Sequence, residues 1–515
     1  MKTQILFFFL FAFTLQNMNS QNQMYREIQN KKGNTVFRKI KPFQVSKEYN
    51  IPLSNQFKEK DDLLFFKYNP LSMKNAGEAI DIEIPLNINR KMEIEVVDVT
   101  DTYNYEIVTD QGHRYRPNKN IKHYRGVVKN NVNSIVALTC FENEIMGIIA
   151  TEDGNFNIAY DKVTGLHVSY NDRNLKDKYS FLCSTIEDES VMYDAKVLLN
   201  PSDDVLLNPS NIRSTTFNIK HVRFYFETEF DIYQARGNSV SSVEAFVTAL
   251  YNQVATLYRN EGIFTTISEI HVWTTTDPYT ENNTSALLNN FQNTRTSING
   301  DIGQLLTFRS IGGGKAAGFN GLCNSSTRQK LSVCGIDNLF NAVPNYSWSV
   351  FVSTHEFGHL FGSRHTHACV WNGNNTAIDG CAIPEGGCTR PPTPTNGGTI
   401  MSYCHLQDVG VNFNLGFGPQ PGNVIRNSVN SASCLSSYSI QFTGPSIICG
   451  QNSYTYTIQN LPPNTTVTWS SSNNSMTLIS GQGTPNAVFQ QTGFTNGEIR
   501  ATIAPFTTLR FPITI

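Results

Sequence analysis

Short runs of β-branched and aromatic residues, separated by clusters of Gly, Asn and Asp, recur through the first part of the chain. Residues 80–84, 92–99 and 135–139 have this character, which is typical of strands joined by turns. We therefore predict a β-rich region over residues 21–213.

The central part of the chain alternates between two periodicities. Residues 221–230 and 267–273 alternate like strands, and 284–298 and 347–362 are predicted helices. The clearest helix is 241–259, with a serine cap before it and apolar residues three or four positions apart. These apolar residues are Val243, Phe246, Val247, Leu250, Val254 and Leu257. Mixed helices and strands of this kind predict an α+β domain, which we assign to residues 214–436.

Two further segments flank this domain. Residues 194–215 contain two Asn-Pro-Ser turns and are predicted to be a linker, with cleavage after Arg213 as one hypothesis. Residues 437–515 are rich in Thr, Ser, Asn and Gly, with short alternating runs at 453–458, 465–469, 486–489 and 498–503. This pattern predicts a small all-β sandwich.

The first 20 residues have the architecture of a secretory signal peptide. Lys2 precedes an apolar run at 5–15, and small and polar residues follow up to Ser20. The run is too short to span a bilayer, because a membrane helix needs about 20 apolar residues. We therefore predict a leader at 1–20 and a secreted or cell-surface protein.

Composition narrows the classes of partner. The apolar fraction of 39% and formal net charge of −2 are ordinary for a globular chain of 515 residues. Neither a basic balance nor a Lys/Arg run indicates nucleic acid or a membrane surface as partner. We expect no nucleic-acid partner, no transmembrane segment and a monomer.

Ten cysteines fit an oxidising destination. Seven of them lie close together in the sequence: Cys323, Cys334, Cys369, Cys381, Cys388, Cys404 and Cys434. Disulfides are the preferred interpretation, and a zinc role for Cys369 or Cys404 is the alternative. A loop-rich segment after residue 365, with several Pro, Gly and Asn residues, is predicted to be pinned by these disulfides.

Residues 355–365 read HEFGHLFGSRH and fit the pattern H-E-x-x-H-x-x-G-x-x-H. His355 and His359 are four apart, so on a helix they share one face and can hold a single Zn²⁺. Glu356 beside them is a candidate base. Gly362 allows the chain to leave the helix and bring back His365 as third ligand. Three protein ligands leave a fourth position open, which is typical of a catalytic site.

The pattern and the stretch GGTIMSYCH at 397–405 resemble the metzincin metalloproteases, with Met401 in the place of their methionine turn. The surroundings are most similar to the reprolysin/adamalysin branch, although Thr366 stands where animal reprolysins have Asp. The resemblance implies one catalytic zinc and the disulfides Cys323–Cys434 and Cys381–Cys388. It also implies that Tyr403 ligates the resting metal or donates to the oxyanion, whereas packing under the methionine turn is the plain alternative.

The resemblance extends to two regions beyond the motif. Residues 302–308, with the glycines 312–314 and residues 318–323, correspond to the strand that borders the active cleft. An exposed edge there would bind an extended peptide through backbone hydrogen bonds, while a buried core strand is the alternative. Residues 437–515 look like the Ig-like or PKD-like modules that follow secreted bacterial proteases.

Residues 123–160 resemble the propeptide of reprolysin-type precursors. In several metzincins a propeptide cysteine thiolate fills the open zinc position, and Cys183 is a candidate for that role. The alternative is a Cys140–Cys183 disulfide. His367 and His405 are interpreted as residues that support the site or lie at the surface.

Together these features predict a secreted zinc endopeptidase that hydrolyses protein or peptide substrates and is made as an inactive precursor. The alternative is a secreted adhesion or binding protein whose zinc domain is idle. A narrow processing protease is the alternative among enzymes. Calcium is a second candidate cofactor for a loop-rich exported protein, but no EF-hand-like run occurs.

Overall fold

The computed structural model describes most of the chain between residues 23 and 515. The described residues are 23–33, 35–46, 63–86, 90–161, 164–175, 183–185, 193–199, 215–336, 346–450, 452–462, 465–503 and 507–515. The predicted leader and the hypothetical cleavage point at Arg213 lie outside these ranges. No helix within them is both long and apolar enough to cross a membrane.

The N-terminal region is built on one ten-stranded sheet. In spatial order its strands are Arg38–Ile40, Ala79–Pro85, Lys91–Asp98, Lys122–Val128, Ile135–Phe141, Glu144–Thr151, Gly154–Asp161, Leu166–Asn171, Leu63–Tyr68 and Phe43–Val45. The first pair is parallel and the others are antiparallel. Helices Gln23–Lys32 and Pro70–Lys74 accompany the sheet. The predicted strands at 80–84, 92–99 and 135–139 are confirmed.

The central domain is α+β, as predicted. Its strands are Thr216–Thr228, Phe264–Val272, Ile302–Thr307, Gly314–Ala316 and Leu331–Gly335, and its helices are Phe230–Ala235, Val240–Asn260, Thr284–Thr294, Tyr346–Leu360 and Pro419–Ser431. The strand predicted at 221–230 is observed at Thr216–Thr228, so it begins five residues earlier than predicted. It also ends before residue 230, because a helix begins at Phe230. The helix predicted at 284–298 ends at Thr294.

The long helix Val240–Asn260 lies between the two sheets. The Ser239 hydroxyl caps it by accepting from the Ser242 N–H, and every residue from 243 to 260 is buried. It packs on strand Ile135–Phe141 of the N-terminal region and on strand Phe264–Val272 of its own domain. Burial on all sides is the mark of a helix enclosed by other elements.

The N-terminal region is joined to the central domain by a strand, a shared core and buried hydrogen bonds. Strand Glu106–Thr109 extends the central sheet by pairing in parallel with Phe264–Val272. The buried amide of Asn252 accepts from Arg125 at 2.8 Å and donates to the Leu138 carbonyl at 2.9 Å. A buried amide without such partners would be costly, so the two parts fold around each other.

The border of the central sheet lies within the region expected from residues 302–308, 312–314 and 318–323, but residues 302–308 do not form it. Strand Ile302–Thr307 is buried and pairs with neighbours on both sides, Thr216–Thr228 and Leu331–Gly335. The edge strand is instead Gly314–Ala316, which pairs antiparallel with Leu331–Gly335. Gly312 and Gly313, both with positive φ, mark the chain reversal that precedes this edge.

The segment after the motif helix is poor in regular structure until residue 419 and contains two disulfides, Cys369–Cys388 and Cys381–Cys404. The predicted pair Cys323–Cys434 is present, but the pair Cys381–Cys388 is wrong. A backbone bridge between Ala368 and Glu385 brings Cys369 to Cys388, which leaves Cys381 to Cys404. Helix Pro419–Ser431 was not anticipated, because its Asn, Ser, Gly and Pro residues mask its period.

The C-terminal module consists of two sheets around one apolar core. Strands Ser437–Thr443, Ser453–Gln459, Met476–Ser480 and Asn486–Gln491 belong to one sheet, and Val467–Ser471, Gly497–Ile503 and Thr507–Ile513 form the other. Ser437–Thr443 pairs antiparallel with the first residues of Thr216–Thr228. The first strand of the module is therefore hydrogen-bonded to the central sheet, so the module is not attached by a linker alone.

Candidate active site

The motif helix, Tyr346–Leu360, carries the first two histidines and the glutamate of the pattern. His355 and His359 are one turn apart, so both side chains leave the same face, and their Nε2 atoms are 3.1 Å apart. On another face Phe357 stacks on Phe224 with ring centroids 4.2 Å apart. This packing fixes the helix on the central sheet and so fixes the direction of the histidines.

The helix ends where Gly362 turns the chain back. Its φ of 106° lies in the region that side-chain-bearing residues avoid. The Gly362 N–H donates to the His359 carbonyl at 2.7 Å, which tightens the last turn. Three residues later the Nε2 atom of His365 lies 3.1 Å from that of His359.

The groups that contact the three Nδ1 atoms determine which nitrogen of each ring carries the hydrogen. His355 Nδ1 lies 2.8 Å from the Ile400 carbonyl, and His359 Nδ1 lies 2.8 Å from the Ser363 carbonyl. His365 Nδ1 lies 3.1 Å from both oxygens of the Glu385 carboxylate. Carbonyl and carboxylate oxygens only accept, so each Nδ1 carries the hydrogen and each Nε2 presents a lone pair.

Three lone pairs that converge in a buried space fit a metal cation. Burial and the neighbouring histidines lower the pKa of His355 and His359, which favours the neutral rings that bind metals. Nitrogen separations of this size suit a tetrahedral Zn²⁺ with Zn–N bonds of about 2.0–2.1 Å. Cys183 belongs to the same group of potential ligands.

Met401 packs against the motif helix. Its side chain is fully buried, and its carbonyl accepts from the Thr366 N–H at 3.1 Å. A Cβ atom at Gly358 would lie 2.6 Å from the Met401 sulfur, so the sulfur touches the bare backbone of the motif helix. A side chain at 358 would displace the Met401 sulfur from the motif helix.

Tyr403 lies beside the histidines with its hydroxyl directed toward residue 183. Its ring centroid is 4.7 Å from that of His365, and its hydroxyl donates to the Cys183 carbonyl at 3.0 Å. Burial raises the pKa of this phenol, so it stays a proton donor at neutral pH.

Glu356 faces the same space as the three Nε2 atoms. Burial raises its pKa to about 8, against the opposing effect of hydrogen bonds from Cys183 and Thr185. Its Oε2 atom accepts from the Thr185 hydroxyl at 3.4 Å. Among the residues that the structure describes, none hydrogen-bonds the buried Oε1 atom. A buried carboxyl with a raised pKa and one unpaired oxygen is typical of a group that exchanges protons in a reaction.

Cys183 is buried against the histidines, far along the chain from the motif. Its sulfur lies 3.4 Å from His359 Nε2 and 3.7 Å from Glu356 Oε2. Burial and then the nearby Glu356 raise the pKa of the thiol, so a metal cation is what would stabilise the thiolate. The alternative Cys140–Cys183 disulfide is wrong, because both cysteines are free.

The two residues after Cys183 contact the edge strand Gly314–Ala316. The Ser184 N–H donates to the Gly314 carbonyl at 3.3 Å, and the Ala316 N–H donates to the Thr185 hydroxyl at 3.0 Å. The Lys315 ammonium donates to the Ser184 carbonyl. Residues 183–185 thus cover both the histidines and the edge of the sheet.

Glu385 is a site residue that the sequence did not indicate, because a single glutamate in a Gly- and Pro-rich loop carries no local signal. Its carboxylate accepts from His365 and also lies 3.2 Å from His367 Nε2. Burial opposes its charge, but the hydrogen bonds from His365 and His367 lower the pKa of Glu385 below its usual range. His367 is therefore a buried support of this carboxylate, while His405 packs on Phe351.

Two other groups of potential ligands occur in the described residues. Cys381 and Cys404 in one of them are disulfide-bonded, and the other shares His365 with the main group. Within the same described ranges, no group of three or more carboxylates comes together. Calcium, which prefers such oxygen ligands, gains no support.

Residues 219–412 match the family model Reprolysin_5 of metallopeptidase family M12. The central domain is a reprolysin-like zinc metalloendopeptidase. The match begins in the first central strand and ends beyond the Met401 turn, so it includes the whole histidine site. The resemblance inferred from the motif is thereby confirmed.

Comparisons of the whole chain add less to the picture of this metalloendopeptidase. No curated protein sequence matches the chain. Among solved structures, metalloproteinase-II from Bacteroides fragilis aligns at 10% identity with a TM-score of 0.33, over 60% of this chain and 89% of that one. A chaperone–substrate complex aligns at 14% identity and a TM-score of 0.25, over 42% of this chain and 35% of that one. At these scores neither likeness carries an argument.

Replacing Glu385 by glutamine is expected to weaken zinc binding by the metalloendopeptidase about tenfold, because the neutral amide is a poorer acceptor for the His365 Nδ1–H. Chelator competition on the purified protein measures this. Glu498→Gln is a matched control, since Glu498 also accepts from two side chains but lies in the C-terminal module. Equal zinc affinity of the Glu385→Gln and Glu498→Gln proteins would contradict the role.

Proposed function

We propose that the protein is the exported, inactive precursor of a zinc endopeptidase, in which Cys183 occupies the fourth position of the catalytic metal. The observation that carries the proposal is the grouping of the Cys183 sulfur with the three histidines. Thiolate is a favoured zinc ligand, and a protease with an open zinc position must be blocked until export. Residues 183–185 are called the latch below.

His355, His359 and His365 are the proposed ligands of one Zn²⁺. A bound zinc ion polarises the scissile carbonyl and lowers the pKa of water. Glu356 takes the proton of the attacking water and passes it to the leaving amine. The Tyr403 hydroxyl, freed from the Cys183 carbonyl when the latch leaves, donates to the oxygen that becomes negative in the transition state.

The proposed substrates are protein segments in extended conformation. With the latch gone, the Gly314 carbonyl and the Ala316 N–H of the edge strand lose the partners that residues 184 and 185 supply. An extended peptide satisfies both groups by adding a strand to the sheet. This binding mode recognises the peptide backbone. The preference of the enzyme for particular substrate side chains therefore depends on the loops around the cleft.

The remaining parts of the proposal follow the sequence. Residues 1–20 are a leader for export, 21–213 a propeptide, 214–436 the catalytic domain and 437–515 an Ig-like module. Three disulfides support an oxidising destination. The active enzyme is proposed to act as a monomer, outside the cell or at its surface.

The cobalt-substituted precursor tests the Cys183–metal bond directly. Full-length protein loaded with Co²⁺ is expected to show a near-ultraviolet thiolate-to-cobalt charge-transfer band, because cobalt occupies zinc sites and reports sulfur ligands. The Cys183→Ser protein should lack the band. The Cys140→Ser protein should keep it, since Cys140 is also free and buried but packs in a different core. A wild-type precursor that binds one cobalt ion without showing this band would contradict the proposed bond between Cys183 and the metal.

An assay of casein hydrolysis distinguishes the proposed enzyme from the alternative, a binding protein whose zinc domain is catalytically inactive. Processed protein is expected to cleave casein. A chelator should abolish this cleavage, and added Zn²⁺ should restore it. Absence of cleavage by zinc-replete, processed protein would favour the binding alternative.

A further inference from the structure

The short segment 193–199 follows the latch in the chain but lies behind the third histidine. The Tyr193 hydroxyl donates to the Gly362 carbonyl at 2.6 Å and accepts from the Arg364 N–H at 3.0 Å. Both backbone groups belong to the turn that carries the chain from the motif helix to His365. A tyrosine hydroxyl has one hydrogen to give and can accept, so one side chain spans the turn.

The Tyr193 ring also packs against the residue that supports His365. Its centroid lies 4.9 Å from that of Trp371, which is fully buried. The Trp371 indole N–H donates to the His365 carbonyl at 2.7 Å. Tyr193 and Trp371 therefore fix the backbone on both sides of the third ligand.

Helix Ala195–Leu199 anchors Tyr193 to the central domain. Leu198 is buried in a cluster with Ala368, Val370, Trp371 and Val424. The buried amide of Asn423 donates to the Leu198 carbonyl at 3.0 Å. These contacts join the segment to helix Pro419–Ser431, which the Cys323–Cys434 disulfide ties to the rest of the domain.

The latch and segment 193–199 thus differ in what they cover. The Cys183 sulfur faces the three Nε2 atoms and must leave before a substrate can bind. Segment 193–199 holds the outer side of the turn, where its departure would strip two backbone groups and an apolar cluster of their partners. Losing it would loosen His365 rather than open the cleft.

We propose that segment 193–199 belongs to the active enzyme, with Tyr193 as a positioning residue for His365. Processing that removes the latch leaves this segment on the catalytic domain, so the catalytic unit begins upstream of the boundary expected at 213/214. The proposal rests on the proposed zinc site of His355, His359 and His365.

The Tyr193→Phe variant tests the positioning role. In the processed enzyme it is expected to weaken zinc affinity about 10- to 100-fold in chelator competition, as for other residues that orient metal ligands. At saturating zinc, kcat falls while KM stays near the wild-type value, because the edge strand is unchanged. Tyr454→Phe is the control: its hydroxyl likewise donates to a carbonyl, that of Cys449 at 2.6 Å, and accepts from the Cys449 N–H at 3.1 Å. It should leave zinc affinity unchanged.

Intact mass of the processed, active enzyme provides an independent readout. The active species is expected to retain residues 193–199, either in the same chain or as a bound peptide. A fully active enzyme with wild-type zinc affinity and without residues 193–199 would overturn the proposal, as would equal zinc affinity of the Tyr193→Phe and wild-type enzymes. A wild-type protein that binds no zinc would instead refute the proposed function itself.

Discussion

Glu356→Gln is expected to lower kcat by at least about 10³-fold while zinc content stays at about one ion per chain. Glutamine has the same shape but cannot take a proton from water at neutral pH. Glu356 lies beside the metal ligands without belonging to the group of four potential ligands, so the metal should stay. The Oε1 atom has no hydrogen-bond partner among the described residues, which leaves it available to accept the proton.

The measurement is hydrolysis of a short peptide by processed Glu356→Gln protein, with metal analysis and a thermal unfolding curve of the same sample. Removing a buried acid should leave the unfolding midpoint equal to or above that of the wild type. Glu281→Gln is the control, because Glu281 accepts from Asn290 at 2.8 Å outside the histidine group. A zinc-replete Glu356→Gln enzyme within tenfold of wild-type kcat would contradict the role of Glu356.

Cys183→Ser is expected to make the unprocessed precursor active, with a peptide-hydrolysis rate at least about tenfold above that of the wild-type precursor. An intramolecular ligand acts at an effective concentration in the millimolar range, so the tethered thiolate keeps the metal blocked. A serine hydroxyl is neutral at pH 7 and is a far weaker zinc ligand. The backbone contacts of residues 184 and 185 with the edge strand persist, so activity should stay below that of the processed enzyme.

Initial rates must be read while a gel shows the chain intact, because self-cleavage would release activity by another route. Cys140→Ser is the matched control. This precursor should remain inactive, since Cys140 is also free and buried but lies in the core of the N-terminal sheet. An intact Cys183→Ser precursor that is as inactive as Cys140→Ser would show that bulk of the propeptide, not the thiolate, blocks the site.

Segments with a strong local pattern were predicted well. The helix at 241–259 has apolar residues at helical spacing and a serine before it, and the observed helix Val240–Asn260 is capped by Ser239. Strands of the N-terminal sheet carry β-branched runs between turn residues, and three of them were located to within two residues at each end. Here the local preference and the global packing agree.

Errors arose where long-range contacts decide. Nothing in the spacing of Cys381, Cys388 and Cys404 shows which two meet, because loops without secondary structure set their separation. Residues 302–308, 312–314 and 318–323 are assigned to the cleft border as one region, and only the order of the strands shows that Ile302–Thr307 is buried while Gly314–Ala316 forms the edge. Strand order is a property of the assembled sheet and leaves little trace in a single segment.

The metal-binding pattern can be predicted from the sequence alone, because helical spacing puts His355 and His359 on one face and Gly362 permits the turn to His365. Long-range contacts in the folded chain, by contrast, determine what surrounds these histidines. The latch, Glu385 and Tyr193 reach the histidines from distant parts of the chain, and no periodicity links them to the motif. The spacing of His355 and His359 is set within one helix, whereas Cys183, Glu385 and Tyr193 come to the motif only when the chain is folded.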